Sequence, residues 1–170
     1  AAQTARTAAA GTAKQHRPFP PGKVKILGDG PDRQRLEELA RQENAPVEFL
    51  GYQDHGSMAA WLRASDITVN SLVKSAVQFI VTKIGVYLAS GKPMINTGSS
   101  PEFRNKVTTD GFGLNVVAEN PEALADVLEE LARNPSLRKI MGARGRAVAE
   151  REFDQRTSYL AIVNLLRNLI

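Results

Sequence analysis

The 170-residue sequence contains no cysteine. This excludes disulfides, thiolate nucleophiles and cysteine-ligated zinc, and it is compatible with a reducing compartment. Histidine occurs only as His16 and His55, and no carboxylate cluster has metal-ligand spacing, so no metal or other cofactor is expected. A Gly-x-Ser-x-Gly elbow is absent, which argues against a hydrolytic triad. No run of about 18 apolar residues occurs, so no membrane-spanning helix is expected. The first residues also lack the charged-then-apolar layout of a secretion signal.

What is present is globular in composition, with 42% hydrophobic and 24% charged residues, in a length that suits one domain. The formal charge is +4 from 22 basic and 18 acidic residues. Five of the basic residues (Arg6, Lys14, Arg17, Lys23 and Lys25) fall in the first 25 positions, which hold no acid. The remaining chain is therefore close to neutral, and its charge gives no reason to expect nucleic acid as a partner. Residues 1–22 form an atypical tail or linker. Seven of the first 13 are alanine, and Arg17-Pro18-Phe19-Pro20-Pro21-Gly22 breaks any helix.

From residue 23 to 170 short apolar runs alternate with helical patterns. Strands are predicted at Val24–Leu27, Val47–Leu50, Ile67–Asn70, Met94–Asn96 and Leu114–Val117. Between them, Leu36, Leu39 and Ala40, then Met58, Trp61 and Leu62, then Ile84, Tyr87 and Leu88, recur at spacings of three and four. Gly91 supplies a stop, and Asn120-Pro121 an N-cap and first turn. Helices around 136–150 and 154–170 close the chain, the last presenting Leu160, Val163, Leu166 and Ile170. The basic set Arg138, Lys139, Arg144 and Arg146 reads as a solvated helix face. This alternation predicts an α/β fold: a Rossmann-like parallel sheet of about five strands with helices on both faces. Right-handed crossovers place every strand-to-helix loop on one edge, where ligands bind such sheets.

Gly28-Asp29-Gly30-Pro31 sits at the first such turn. The two glycines allow a tight turn and close approach to a phosphate, and Pro31 suits a first helical turn. The dinucleotide fingerprint fails, because Arg33 replaces its third glycine and Gly51 and Tyr52 stand where it wants an acid. Gly91-Lys92-Pro93 fails as a phosphate loop because Gly85 is misplaced, no Ser or Thr follows, and the loop runs helix-to-strand. Between Lys74 and Gly98 the pattern is more informative. Gln78-Phe79-Ile80-Val81-Thr82-Lys83 leads into a helix with Thr82 as N-cap and Lys83 in the first turn. A lysine there opposes the helix dipole unless an anion offsets it, and a diphosphate would suit it; a solvent-facing lysine is the alternative.

Taken in order, these segments resemble one family. They are Gly28-Asp29-Gly30-Pro31, Val47-Glu48-Phe49-Leu50-Gly51, Ala64-Ser65-Asp66-Ile67, Gln78 to Lys83, Tyr87-Leu88-Ala89-Ser90-Gly91-Lys92-Pro93-Met94-Ile95-Asn96, Ser99-Ser100-Pro101-Glu102 and Asp110-Gly111-Phe112-Gly113. Together they resemble the C-terminal half of a GT-B glycosyltransferase of the family-four retaining type, and are similar to bacterial surface-polysaccharide enzymes. The resemblance implies a donor-binding domain for a UDP- or GDP-type sugar, with no metal. Gly28, Gly30 and Tyr52 would border the nucleotide, Gln78 and Thr82 the donor, and Lys83 would stabilise the leaving diphosphate. The family's Glu-x7-Glu pair falls on Gln78 and Val86, so the ribose position carries no acid. The resemblance further implies an N-terminal acceptor domain that precedes this one, without which the chain is inactive. It also implies a cytoplasmic enzyme in surface polysaccharide synthesis, peripherally associated with the inner membrane face.

A second reading keeps the fold and drops the chemistry: a non-catalytic interaction module whose donor site is degraded, motivated by Val86. A third reading is contact of the basic tail with an anionic surface or with nucleic acid.

Overall fold

The computed structural model describes residues 22–76 and 83–167. Strands β1 (Val24–Leu27) and β2 (Val47–Gly51) flank helix α1 (Arg33–Gln42), and α2 (His55–Ala64) leads to β3 (Thr68–Asn70). Then come α3 (Ile84–Ala89), β4 (Met94–Asn96), α4 (Pro101–Asp110), β5 (Gly113–Asn115), α5 (Pro121–Arg133), α6 (Pro135–Glu152) and α7 (Gln155–Arg167). Every pairing among the described strands is parallel, so the expected α/β architecture is observed. The pairing is divided, however. β1 pairs with β2, and β3, β4 and β5 form a separate sheet in that order.

β4 is the pivot of the packing because its side chains alternate between faces. Met94 points into a cluster with Ile84 and Leu88 of α3, Phe103 and Val107 of α4, Phe112, and Val148 of α6. Ile95 joins the opposite cluster with Val116, Leu124 and Leu131 of α5, and Met141 of α6. Helices therefore cover both faces of the three-stranded sheet. On the β1–β2 side, Leu36 and Ala40 are buried, while α2 has no buried residue. Lys25 pairs with its in-register neighbour Glu48 at 2.5 Å and lies 4.4 Å from the Trp61 ring centre.

Several boundaries moved. Asn120 caps α5 through the Ala123 N–H at 2.9 Å, with Pro121 in the first turn, and Gly91 ends α3 with φ 69°, both as expected. The fifth strand is Gly113–Asn115 rather than 114–117: Met94 pairs with Gly113, and Val117 lies beyond the strand, largely exposed. Pro31 precedes α1 instead of opening it, since that helix begins at Arg33 with Asp32 at its cap. In α7, Leu160 and Leu166 are exposed, and Ile170 lies outside the described residues. The basic face of α6 is solvated in part. Arg138 donates to the Leu131 and Ala132 carbonyls at the end of α5, and Arg146 to the Ala89 carbonyl at the end of α3. Cations at helix C-termini meet carbonyls that have no intrahelical partner.

Candidate functional site

All strand-to-helix loops leave the carboxyl ends of the strands. At β1 and β2 the turn is held by one carboxylate. Gly28 adopts φ 123°, a conformation open to glycine, and donates its N–H to the Gly51 carbonyl at 2.7 Å. Asp29 bonds the Arg33 guanidinium with one oxygen and accepts the Tyr52 N–H at 2.5 Å with the other. The hydrogen bond from Arg33, then that from the Tyr52 backbone, hold the Asp29 carboxyl below its ordinary value. Arg33 also bonds Glu37 at 2.7 Å. The residue that defeats the dinucleotide fingerprint thus serves the turn. Gly28, Gly30 and Tyr52 are brought together at this corner, with no atom within 4 Å of a Cβ built on either glycine and the Tyr52 side chain 79% exposed.

Lys83 occupies the cap of α3, one position earlier than expected, since the helix begins at Ile84. It is half-buried, makes no side-chain capping bond, and its Nζ lies 5.7 Å from the Tyr87 ring centre. Burial pushes its ammonium pKa down and pushes the Tyr87 phenol up. Desolvation is the cause acting on Lys83, and no carboxylate pairs with it among the described residues. Such a cation is suited to an anionic ligand. Val86, one turn on, is 39% exposed and carries no group that could bind a hydroxyl. Gln78 and Thr82 lie outside the described residues.

The loops after β3 and β4 are locked together. Thr97 accepts the Leu72 N–H through Oγ1 at 2.7 Å and donates to the Leu72 carbonyl at 2.8 Å. Beneath them three in-register asparagines end the strands. Asn70 Nδ2 donates to Asn96 Oδ1 at 2.9 Å, and Asn96 Nδ2 donates to Asn115 Oδ1 at 2.9 Å. Asn115 Nδ2 then donates to the Arg104 carbonyl at 2.8 Å. These residues were not singled out from the sequence, although a signal existed. Val69-Asn70, Ile95-Asn96 and Leu114-Asn115 repeat an apolar–asparagine step at three strand ends, where asparagine is otherwise disfavoured.

The strands are parallel, so the turn at Gly28, the asparagine-ended strands and the loops after β3 and β4 all lie at the carboxyl edge. The chain belongs to the glycosyl transferases group 1 family, whose model matches residues 7–134. Its fold is that of the C-terminal, Rossmann-like domain of GT-B glycosyltransferases. It is 31% identical over 155 residues to the GDP-mannose-dependent monoacylated alpha-(1-6)-phosphatidylinositol monomannoside mannosyltransferase of Corynebacterium glutamicum, covering 88% of this chain and 40% of that protein. Among solved structures, Alr3699/HepE of Anabaena in complex with UDP superposes with a TM-score of 0.79 at 16% identity, over 96% of this chain and 44% of that one. The C-terminal domain of the group 1 glycosyl transferase LpcC from Francisella tularensis superposes at 0.72 with 20% identity, over 91% of this chain and 79% of that one. The chain therefore spans less than half the length of the mannosyltransferase and of HepE.

Proposed function

We propose that this chain is the donor-binding domain of a retaining glycosyltransferase that moves a sugar, a hexose by the family resemblance, from a UDP- or GDP-type diphosphate to a saccharide or lipid-linked acceptor. The observation that carries this reading is Lys83, a desolvated cation with no anionic partner among the described residues, set at the carboxyl edge of the sheet. Charge stabilisation of a leaving diphosphate needs a preorganised cation in a water-poor site. Burial there strengthens its attraction to a phosphate. The family match supports the class of reaction. The mannosyltransferase relative is GDP-mannose-dependent, and the HepE structure holds UDP.

In this reading Tyr52 flanks the nucleotide beside the Gly28–Gly30 turn, Gln78 and Thr82 contact the donor, and no metal takes part. An N-terminal acceptor domain supplies the other wall of the site, so the isolated chain binds donor and does not transfer. The enzyme works in the cytoplasm, at the inner membrane face, in surface polysaccharide synthesis. Its association with lipid is peripheral in this reading, and no helix among the described residues is long and apolar enough to cross a membrane.

Calorimetric titration of the chain with UDP-glucose and GDP-mannose, joined to amide chemical shifts, tests the binding claim. Saturable binding with shifts at Lys83 and Ile84 is expected; their absence at millimolar donor sinks it. The exposed apolar side chain of Val86 at the ribose position favours the second reading, a non-catalytic module on the same fold.

A further inference from the structure

The asparagine chain has a direction, and it ends in an unused acceptor. Asn96 Oδ1 accepts both the Asn70 amide and the Gly98 backbone N–H at 3.1 Å. That backbone donor fixes which branch of the Asn96 amide is oxygen. At the far end, Asn115 Nδ2 donates to the Arg104 carbonyl at 2.8 Å and to Thr108 Oγ1 at 3.1 Å, which fixes Asn115 in the same sense. Asn70 must therefore present its NH2 inward to Asn96, and the other branch of its planar amide, Oδ1, is turned away from the chain. Asn70 is 1% exposed, and its Oδ1 is a buried atom with no hydrogen-bond partner among the described residues. Buried amide oxygens are almost always bonded, so an orphan at the carboxyl edge of a parallel sheet calls for a donor. Each link of the chain polarises the next, which makes that terminal oxygen a stronger acceptor than an isolated amide.

We infer that Asn70 Oδ1 accepts a hydrogen bond from a hydroxyl of the transferred sugar, making the Asn70–Asn96–Asn115 chain a specificity-determining element for the donor. The inference rests on the reading of this chain as a nucleotide-sugar-binding domain. The chemistry of the atom selects the group. A carbonyl oxygen repels a phosphate and needs an O–H or N–H donor. The exposed Tyr52 ring, suited to a base, stands at the end of β2, on the other sheet. The cation suited to the diphosphate is Lys83. A sugar hydroxyl is the donor group left for Asn70.

The test uses the 15N-labelled chain titrated in parallel with UDP, GDP, UDP-glucose and GDP-mannose. The side-chain NH2 resonances of Asn70 and Asn96 are expected to move together with at least one sugar nucleotide and to stay in place with either nucleotide alone. Asn70→Leu, which leaves Asn96 Oδ1 still bonded to the Gly98 N–H, should weaken that sugar nucleotide about tenfold, as the loss of one hydrogen bond does, and leave the nucleotide within about twofold. Three results overturn the inference while the donor-binding reading stands. One is shifts of equal size with nucleotide alone, which would assign the oxygen to a ribose hydroxyl. Another is saturation by sugar nucleotide with both asparagine amides unmoved. The third is unchanged sugar-nucleotide affinity in a folded Asn70→Leu chain. If the unmutated chain binds none of the four compounds, the donor-binding reading itself fails, and the inference with it.

Discussion

Asp29 accepts the backbone N–H of Tyr52 at 2.5 Å across 23 positions of chain, so one carboxylate sets where the exposed Tyr52 ring stands relative to the Gly28 turn. The carboxyl pKa is held below the ordinary aspartate value, first by Arg33 and then by this N–H. A depressed carboxylate contributes stability above its unfolded pKa, and that contribution is lost as pH falls through the folded one. The Tyr52 amide proton shift should therefore titrate below the usual aspartate range, and Asp29→Asn should abolish the titration. A Tyr52 amide that titrates at the ordinary aspartate value would contradict the assignment.

Lys83 has the opposite sense. Burial lowers its pKa, so the folded state binds fewer protons than the unfolded one between the folded and ordinary lysine values. Stability then rises with pH through that window, because the cost of burying the charge disappears as the proton leaves. Lys83→Met should remove this rise, and below the window it should be at least as stable as the parent in urea denaturation. The same variant should bind UDP and GDP about tenfold more weakly, as expected for loss of one charge-assisted contact to phosphate. Unchanged nucleotide affinity in the folded variant would take Lys83 out of the site.

Val86 is exposed enough to accept a carboxylate without disturbing the core. Val86→Glu should change stability by no more than about 0.5 kcal/mol. The new carboxylate lies one helical turn from Lys83, a spacing at which opposite charges attract. Under the enzyme reading, calorimetry should show tighter binding of UDP-glucose or GDP-mannose through the ribose hydroxyls. Under the interaction-module reading, affinity does not change.

Gly142 of α6 lies directly against the Gly91 carbonyl that closes α3, and a Cβ built there collides with that oxygen. In an open helix Gly→Ala stabilises by about 1 kcal/mol. Here the obstacle is backbone and cannot swing aside, so Gly142→Ala should destabilise by about 1–3 kcal/mol, as overpacking does. Gly145 is a useful contrast, since its nearest neighbours are the side chains of Leu88 and Phe112 at 3.3 and 3.4 Å. Chemical denaturation should show a smaller loss for Gly145→Ala than for Gly142→Ala.

Much of the architecture could be read from the sequence because periodicity reports burial directly. Met94-Ile95-Asn96 and Val24 to Leu27 read as strands from their runs alone, and both are strands. Leu114 to Val117 misled because an apolar run does not say where pairing stops. Register with Met94 draws Gly113 into β5 and leaves Val117 outside. The division into two sheets depends on which edges meet, which no local pattern encodes. At the site, a cation near the start of α3 is legible, but its desolvation depends on burial, which the local pattern does not report. The asparagine chain is likewise a property of register: three ordinary strand ends acquire meaning because β3, β4 and β5 align them.

Both clusters of buried apolar side chains draw on residues from 67 onward, while β1 and β2 rest on Leu36, Ala40 and a few surface ion pairs. Local opening costs least where little apolar surface is buried. Amide hydrogens of β1 and β2 should thus exchange through partial unfolding, and those of β4 only when the whole domain opens. Along the carboxyl edge, the corner that carries Tyr52 is then the part free to adjust, and the part holding Asn70 and Asn96 is the fixed one.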